Sequence, residues 1–296
     1  MKSVLGDKRA IALLLGPALL VYSLVMLLPM LVSLGYTFFT GSVISGFSFA
    51  GTANFERLFS DPNIWPAVLF TVKYAVVVTI GQVVFGYLLA LLYHFFLKRA
   101  SNLVRTLVFF PVVLPTVAVS LLFQKLFEFA PQTGLVNSVL NGFGIESVDW
   151  LGDPSHAFIV IAIMDIWRAM GFYGVLLYTG LLDIPDDIME AARLDGAAGW
   201  KLIRTIVFPL SVAVLISSLI FSINGTLKVF DSIYALTGGG PGSSTSPLTL
   251  LMYRTSFAGG DYGYGSTIAL LLTMMCLVVT VVIFRTSASN TKGPNE

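Results

Sequence analysis

The chain has 296 residues, 56% of them hydrophobic and only 11% charged, with a mean hydropathy of +0.87 and a formal net charge of +1. Soluble domains carry roughly 25% charged residues, so this chain lacks the polar surface to cover a water-soluble globule and reads as an integral membrane protein. The near-neutral charge argues against a nucleic-acid-binding surface. The lone Cys276 excludes an internal disulfide, a thiolate metal cluster and a dithiol redox motif, and His94 and His156 make no zinc pattern.

A spanning helix needs roughly 20 apolar residues, and backbone groups in lipid must bond within their own segment. The apolar runs do not alternate with period two, which argues against a β-barrel. In chain order, charge-poor stretches predict six spans at about 11–39, 74–97, 105–127, 157–181, 206–230 and 263–284. The first, preceded by Lys8 and Arg9, exceeds the usual length of a signal-peptide core and has no small-x-small cleavage site, so it reads as a retained span. The segment Ile233–Tyr253 is also uncharged, but the run Gly238 to Thr245 would break a helix, and it reads as a loop.

Lysine and arginine set the orientation. With the N-terminus inside, the inner segments hold Lys2, Lys8, Arg9, Lys98, Arg99, Arg105, Arg193, Lys201, Arg204, Arg285 and Lys292, against Arg57 and Arg254 outside. The fold class predicted is therefore an all-α membrane protein of six transmembrane helices, a single domain over 1–296, with both termini cytoplasmic. The loop 182–205 is the one long inner connection.

That loop reads Ile184-Pro185-Asp186-Asp187-Ile188-Met189-Glu190-Ala191-Ala192-Arg193-Leu194-Asp195-Gly196. Pro185 suits a helix start, and Asp186, Asp187 and Glu190 lie near the positive end of the helix dipole. Glu190 and Arg193 are spaced to pair. Gly196 stands where a left-handed residue would end the helix. A second short helix from about Ala198 carries Trp200, Lys201 and Arg204 towards Pro209. Ala191 and Ala192 present little side chain, which lets another protein's surface approach closely. On spacing alone, an amphipathic helix resting on lipid headgroups fits as well.

Glu190-Ala191-Ala192, with Gly196 after three residues and Ile206-x-Phe208-Pro209 after nine more, resembles the EAA motif of binding-protein-dependent ABC importer permeases. Phe208 stands where that family usually has Leu. The string from Gly180 to Leu210 looks like the sugar-permease branch, with Leu182-Asp183 where Gln-x is commonest. Phe230-Asp231-x-Ile233-Tyr234-x-Leu236-Thr237-Gly238-Gly239-Gly240-Pro241 is similar to a second block of the same branch. The resemblance implies that the loop docks as a coupling helix on a cytoplasmic ATPase. Glu190, Ala191, Ala192, Asp195, Gly196 and Pro209 would form the coupling element. Glu190 would contact a basic residue, and Gly196 would set the angle between the two short helices. It further implies a second, homologous permease subunit, two ATPase subunits that bind ATP and Mg, an extracytoplasmic substrate-binding protein, and a bacterial or archaeal cytoplasmic membrane. No cofactor, metal or catalytic residue is expected in this chain. The stretch Gly238–Thr245 lacks the Gly-Lys-Ser/Thr of a phosphate-binding loop, so the energy for active transport comes from a partner or from an ion gradient.

Ionisable groups at membrane depth are costly and usually face the protein interior. Asp165 and Arg168 are three apart, as are Lys228 and Asp231, and either couple reads as an ion pair fixing helix packing or as part of a polar path. Ser218, Ser222 and Thr226, spaced by four, line one stripe whose hydroxyls can bond a sugar. Trp167, Phe172 and Tyr173 suit sugar faces, although most aromatics in a bundle are packing. The candidate substrate path is Trp167, Arg168, Phe172, Ser222, Thr226 and Lys228; by resemblance the sugar contacts fall near Arg168, Ala169, Phe172, Ser222, Thr226 and Val229. The function expected is ATP-driven import of a carbohydrate. The alternative is an ion-coupled secondary transporter, although no internal repeat is visible. An intramembrane enzyme lacks any motif.

Overall fold

The computed structural model describes residues 8–42, 44–97, 100–130 and 132–290. Lys2, Lys98, Arg99 and Lys292, used above for orientation, lie outside them. Helices dominate: α1 (Ile11–Tyr36), a hairpin of β1 (Phe39–Ser42) and β2 (Gly46–Phe49), α2 (Ala53–Ser60), α3 (Ile64–Phe96), α4 (Ser101–Val113), α5 (Thr116–Leu126), α6 (Leu135–Gly142), α7 (Pro154–Leu182), α8 (Asp186–Leu194), α9 (Gly199–Leu227), α10 (Asp231–Leu236), α11 (Leu248–Tyr253) and α12 (Tyr262–Arg285). Five are long and apolar enough to cross a membrane: α1, α3, α7, α9 and α12.

The third predicted span is not one straight helix. It is broken into α4 and α5, bent by 95° at Leu114–Pro115. Pro115 has no N–H and pushes Leu114 out of the helical region, to ψ 142°. The second span starts ten residues before its predicted edge, because Lys73 lies within α3 rather than bounding it; its ammonium sits 4.1 Å from the centre of the Phe158 ring. The fifth begins at Gly199, so the expected second short helix of the inner loop is the first turn of α9. A π turn at Ile203–Val207, where Phe208 N–H bonds Ile203 O, carries the helix past Pro209, whose missing N–H would interrupt the ladder. The same device, a π turn at Ser23–Leu27, precedes Pro29 in α1. The segment read as a loop contains α10 and α11: Ile233, Leu236, Leu248 and Leu250 are all buried, and this apolar anchoring leaves only the glycine run outside helices.

The chain divides into two compact units, Met1–Ile64 with Leu251–Leu271 and Trp65–Leu250 with Leu272–Glu296. In the first, Asn54 Nδ2 donates to Thr37 O at 2.9 Å and to Phe39 O at 2.8 Å, fixing α2 against the hairpin. Arg57 pairs with Asp261 at 2.6 Å and lies over the Tyr264 ring, whose hydroxyl donates to Asp61 at 2.8 Å. None of the described residues Ile11–Tyr36 of α1 is buried.

In the second unit, α7 is the central element. Asp153 caps it ahead of Pro154, and the N–H groups of His156 and Ser155 hold that carboxyl below the usual carboxylate range. Two glycines let α7 approach its neighbours. A methyl at Gly171 would collide with the Val108 carbonyl of α4, and one at Gly86 would lie 2.7 Å from Tyr173 Cβ. The apolar core joins α3, α7, α8 and α9 through Val83, Leu91, Leu177, Leu181, Met189 and Leu202.

Candidate functional site

Two sites share α7 and α9: a hairpin where α7 ends and α9 begins, and a cavity beside the middle of α7 and the C-terminal end of α9. The first is the hairpin from α8 into α9. Asp186 and Asp187 occupy the first turn of α8 and Arg193 the last, each matched to the helix dipole. Gly196 has φ +79°. Gly196 N–H bonds Arg193 O at 3.1 Å and Ala197 N–H bonds Ala192 O at 2.9 Å, the paired backbone bonds of a Schellman turn. Met189, Ala192 and Ala197 are buried in the core of the unit. The opposite face is exposed: Asp186, Asp187, Glu190, Ala191, Arg193 and Asp195, with Ile188, Leu194 and Trp200 exposing apolar surface and Leu194 90% accessible.

The sequence-predicted coupling residues therefore divide. Glu190, Ala191, Asp195 and Gly196 are exposed together on the hairpin. Pro209 is exposed on α9, two residues past the π turn. Ala192 points inward, because it sits three residues after Met189 on the packed face of α8. The predicted Glu190–Arg193 pair is absent from the ion pairs among the described residues, and an exposed pair of this kind adds at most about 1 kcal/mol.

The second site is a cavity of about 260 Å³ between α3, α5, α7, α9 and α10. Its wall is a chain of hydrogen bonds across three helices. Tyr74 of α3 donates to Asp165 Oδ2 of α7 at 2.6 Å. Gln82 of α3 donates to Asp165 O at 3.2 Å and accepts from Ser222 of α9 at 2.7 Å. Ser222 also reaches Thr79 at 3.2 Å, and the Thr79 and Thr226 hydroxyls lie 3.0 Å apart. Arg168 Nε lies 3.5 Å from Asp165 Oδ1. Lys228, at the C-terminal end of α9, and Asp231, at the start of α10, complete the lining.

The stripe of Ser218, Ser222 and Thr226 exists as predicted, and all three are buried. Arg168, Ala169, Ser222, Thr226, Lys228 and Val229 line the cavity, and so does Tyr173. Trp167 and Phe172 do not: Trp167 packs on Phe123 at 5.7 Å between ring centres and Phe172 on Phe221 at 6.3 Å. Asp165 and Arg168 pair as expected, whereas Lys228 and Asp231 do not, because α9 ends at Leu227 and α10 begins at Asp231, so the spacing of three no longer places them on one helix face. Sequence reasoning passed over Tyr74, Gln82, Thr116 and Ser232. Gln82, an amide inside an otherwise apolar run, was the available signal. Among the described residues no group of three or more His, Cys, Asp or Glu could hold a metal ion. The arrangement offers hydroxyl, amide, guanidinium and ammonium groups to a polar solute.

Comparison with known proteins places these features in a lineage. The model of the family described as "binding-protein-dependent transport system inner membrane component" matches residues 82–288. The chain is 35% identical over 237 residues to the trehalose/maltose transport system permease protein MalF of Thermococcus litoralis, covering 80% of this chain and 79% of that one. It is 34% identical over 277 residues to the lactose transport system permease protein LacF of Rhizobium radiobacter, covering 92% of each. Its fold is similar to a solved bacterial ABC transporter chain involved in import of the acidic polysaccharide alginate, with a TM-score of 0.85 at 23% identity over 98% of this chain and 99% of that one. The long apolar helices, the capped hairpin and these matches agree: the chain belongs to the family of inner-membrane permease components of binding-protein-dependent transport systems.

Proposed function

We propose that this permease works in an ATP-driven importer that translocates a carbohydrate delivered by an extracytoplasmic binding protein. Kinship with permeases named for trehalose/maltose and for lactose supports a saccharide cargo. In this reading the whole chain acts as one permease domain in a bacterial or archaeal inner membrane, with both termini in the cytoplasm. A second, homologous permease and two ATPase subunits complete the importer. ATP and Mg are bound by the ATPases, and this chain carries no cofactor.

The observation that carries the reading is the hairpin of α8 and α9. Its underside is packed into the core, its other face is exposed, and α9 continues from it without a break to the cavity. Displacement of such a hairpin by an ATPase is transmitted along α7 and α9. About 22 Å of helix, at 1.5 Å per residue, separates Arg168 from Asp183. Glu190 contacts a basic residue of the ATPase, Ala191 and Asp195 border that contact, Gly196 fixes the turn, Ala192 supports it from beneath, and Pro209 lies where the hairpin passes into the span. The cavity residues Arg168, Ser222, Thr226 and Lys228 belong to the translocation path.

The test is Glu190→Lys in the assembled importer. Glu190 is exposed and unpaired, so insertion and folding stay intact while uptake and co-purification of the ATPase are lost. Gly196→Asp tests the same surface. No atom lies within 4 Å of a methyl built there, and Asp tolerates the left-handed region, so a loss of transport reports the docking face rather than collapse of the turn. Normal ATP-dependent uptake in both variants overturns the assignment.

A further inference from the structure

Asp165 raises a question that the translocation path alone does not answer. It is 3% exposed, its partner Tyr74 is 1% exposed, and a carboxylate at membrane depth is costly to keep. Its two oxygens are divided. Oδ2 accepts the Tyr74 hydroxyl from α3 at 2.6 Å, and Oδ1 faces Arg168 Nε at 3.5 Å. Nε is buried and makes no hydrogen bond, so the carboxylate acts on it as a nearby charge. Arg168 is the more open member of the pair: its side chain is 24% exposed and lines the cavity. A guanidinium is a rigid planar fork of five N–H donors. With the Nε edge turned to Asp165, the two Nη groups are left with no hydrogen bond to any described residue.

We propose that Asp165 and Tyr74 are positioning residues for Arg168, holding its guanidinium so that the two Nη groups meet a pair of adjacent oxygens on the saccharide in the cavity. The inference rests on the cavity being the translocation path. Tyr74 anchors the carboxylate to α3, the carboxylate neutralises the arginine without occupying the outer edge of its fork, and the cavity receives a fixed two-point donor. Vicinal hydroxyls and a carboxylate present the same oxygen pair. A lysine keeps the charge but replaces the rigid planar fork with rotatable donors on a single nitrogen.

The experiment uses the complete importer in proteoliposomes with its binding protein. Radiolabelled maltose, lactose and trehalose serve as neutral probes and alginate trisaccharide as the acidic one. If wild type takes up none of them with ATP, the reading of the cavity as a saccharide path fails before any variant is compared. With the probe that is taken up, Arg168→Gln and Asp165→Asn each lower the rate about tenfold, the size expected for one hydrogen bond to a charged group. The double variant D165N/R168Q falls no further than R168Q alone. Recovery of uptake in the double variant overturns the proposal, because an ion pair that only fixes packing is relieved when both charges go. Losses that multiply also overturn it, because the two residues then act independently. Tyr74→Phe keeps the ring and removes only the donor; assembly and binding-protein-stimulated ATP hydrolysis stay normal while uptake falls, and wild-type uptake in this variant overturns the proposal even where D165N fails to assemble. The probe taken up separates the two oxygen sources, alginate trisaccharide offering carboxylates and the neutral sugars vicinal hydroxyls alone; Arg168→Lys keeps the charge and loses the planar fork, so it lowers uptake, and wild-type uptake in this variant overturns the two-point contact.

Discussion

The hairpin and the cavity wall are held by different kinds of interaction. The hairpin is closed by backbone bonds between residues five or fewer apart, at Gly196 and Ala197, and is seated by three small or flexible apolar side chains on one face. The cavity wall is closed by side-chain hydrogen bonds between helices, with partners as far apart in the chain as Thr79 and Thr226. The first is a local shape presented outward, and its surface can change without disturbing its skeleton. The second is a shared network, where each group is satisfied by a neighbour on another helix and a loss at one is felt by the next.

Breaking the hairpin's seat gives the largest effect. Met189→Ala removes a buried side chain and costs about 2–5 kcal/mol locally. Limited trypsin cleavage at Arg193 rises, while disulfide formation between cysteines placed at 79 and 226 is unchanged if the two regions are independent. Next is Gly171→Ala, which forces a methyl into the Val108 carbonyl at the α4–α7 crossing and costs about 1–3 kcal/mol. Here the same disulfide forms less efficiently and detergent-solubilised protein unfolds at a lower temperature. Gly196→Ala meets no neighbouring atom and costs about 1 kcal/mol, only the strain of the left-handed backbone. Gly196→Asn costs less than Ala, which separates backbone strain from surface chemistry. Smallest is Ser222→Ala, about 0.6 kcal/mol, the usual size of a hydrogen bond between membrane helices. A thermal shift comparable with that of Met189→Ala would show that the wall, and not the seat, dominates the stability of the unit.

The same distinction explains what could be read from the chain. Pro185, the acidic first turn and Gly196 lie within a dozen residues, and each acts through local backbone geometry, so the helix, its end and the left-handed turn were all legible. Tyr74 and Asp165 are 91 residues apart, and no periodicity relates them. The hydroxyl stripe of α9 was legible as a stripe, but its partners Thr79 and Gln82 on α3 were not. Spacing misled where an element ended between two residues, as for Lys228 and Asp231, and charge misled where a cation is shielded by an aromatic ring, as for Lys73. The break at Leu114–Pro115 carried a signal in Pro115, hidden by the absence of charge around it.

The unburied first helix has a consequence of its own. Its 26 residues give a rod about 39 Å long at 1.5 Å per residue, against roughly 30 Å of hydrocarbon. A rod longer than its slab leans until its apolar length fits. With none of its described residues buried, and with its ties gathered near its C-terminal end, where Ser33 bonds Ser266 at 3.3 Å and Tyr36 stacks on Phe47, the free N-terminal part of α1 should lean further as acyl chains are shortened and straighten as they are lengthened.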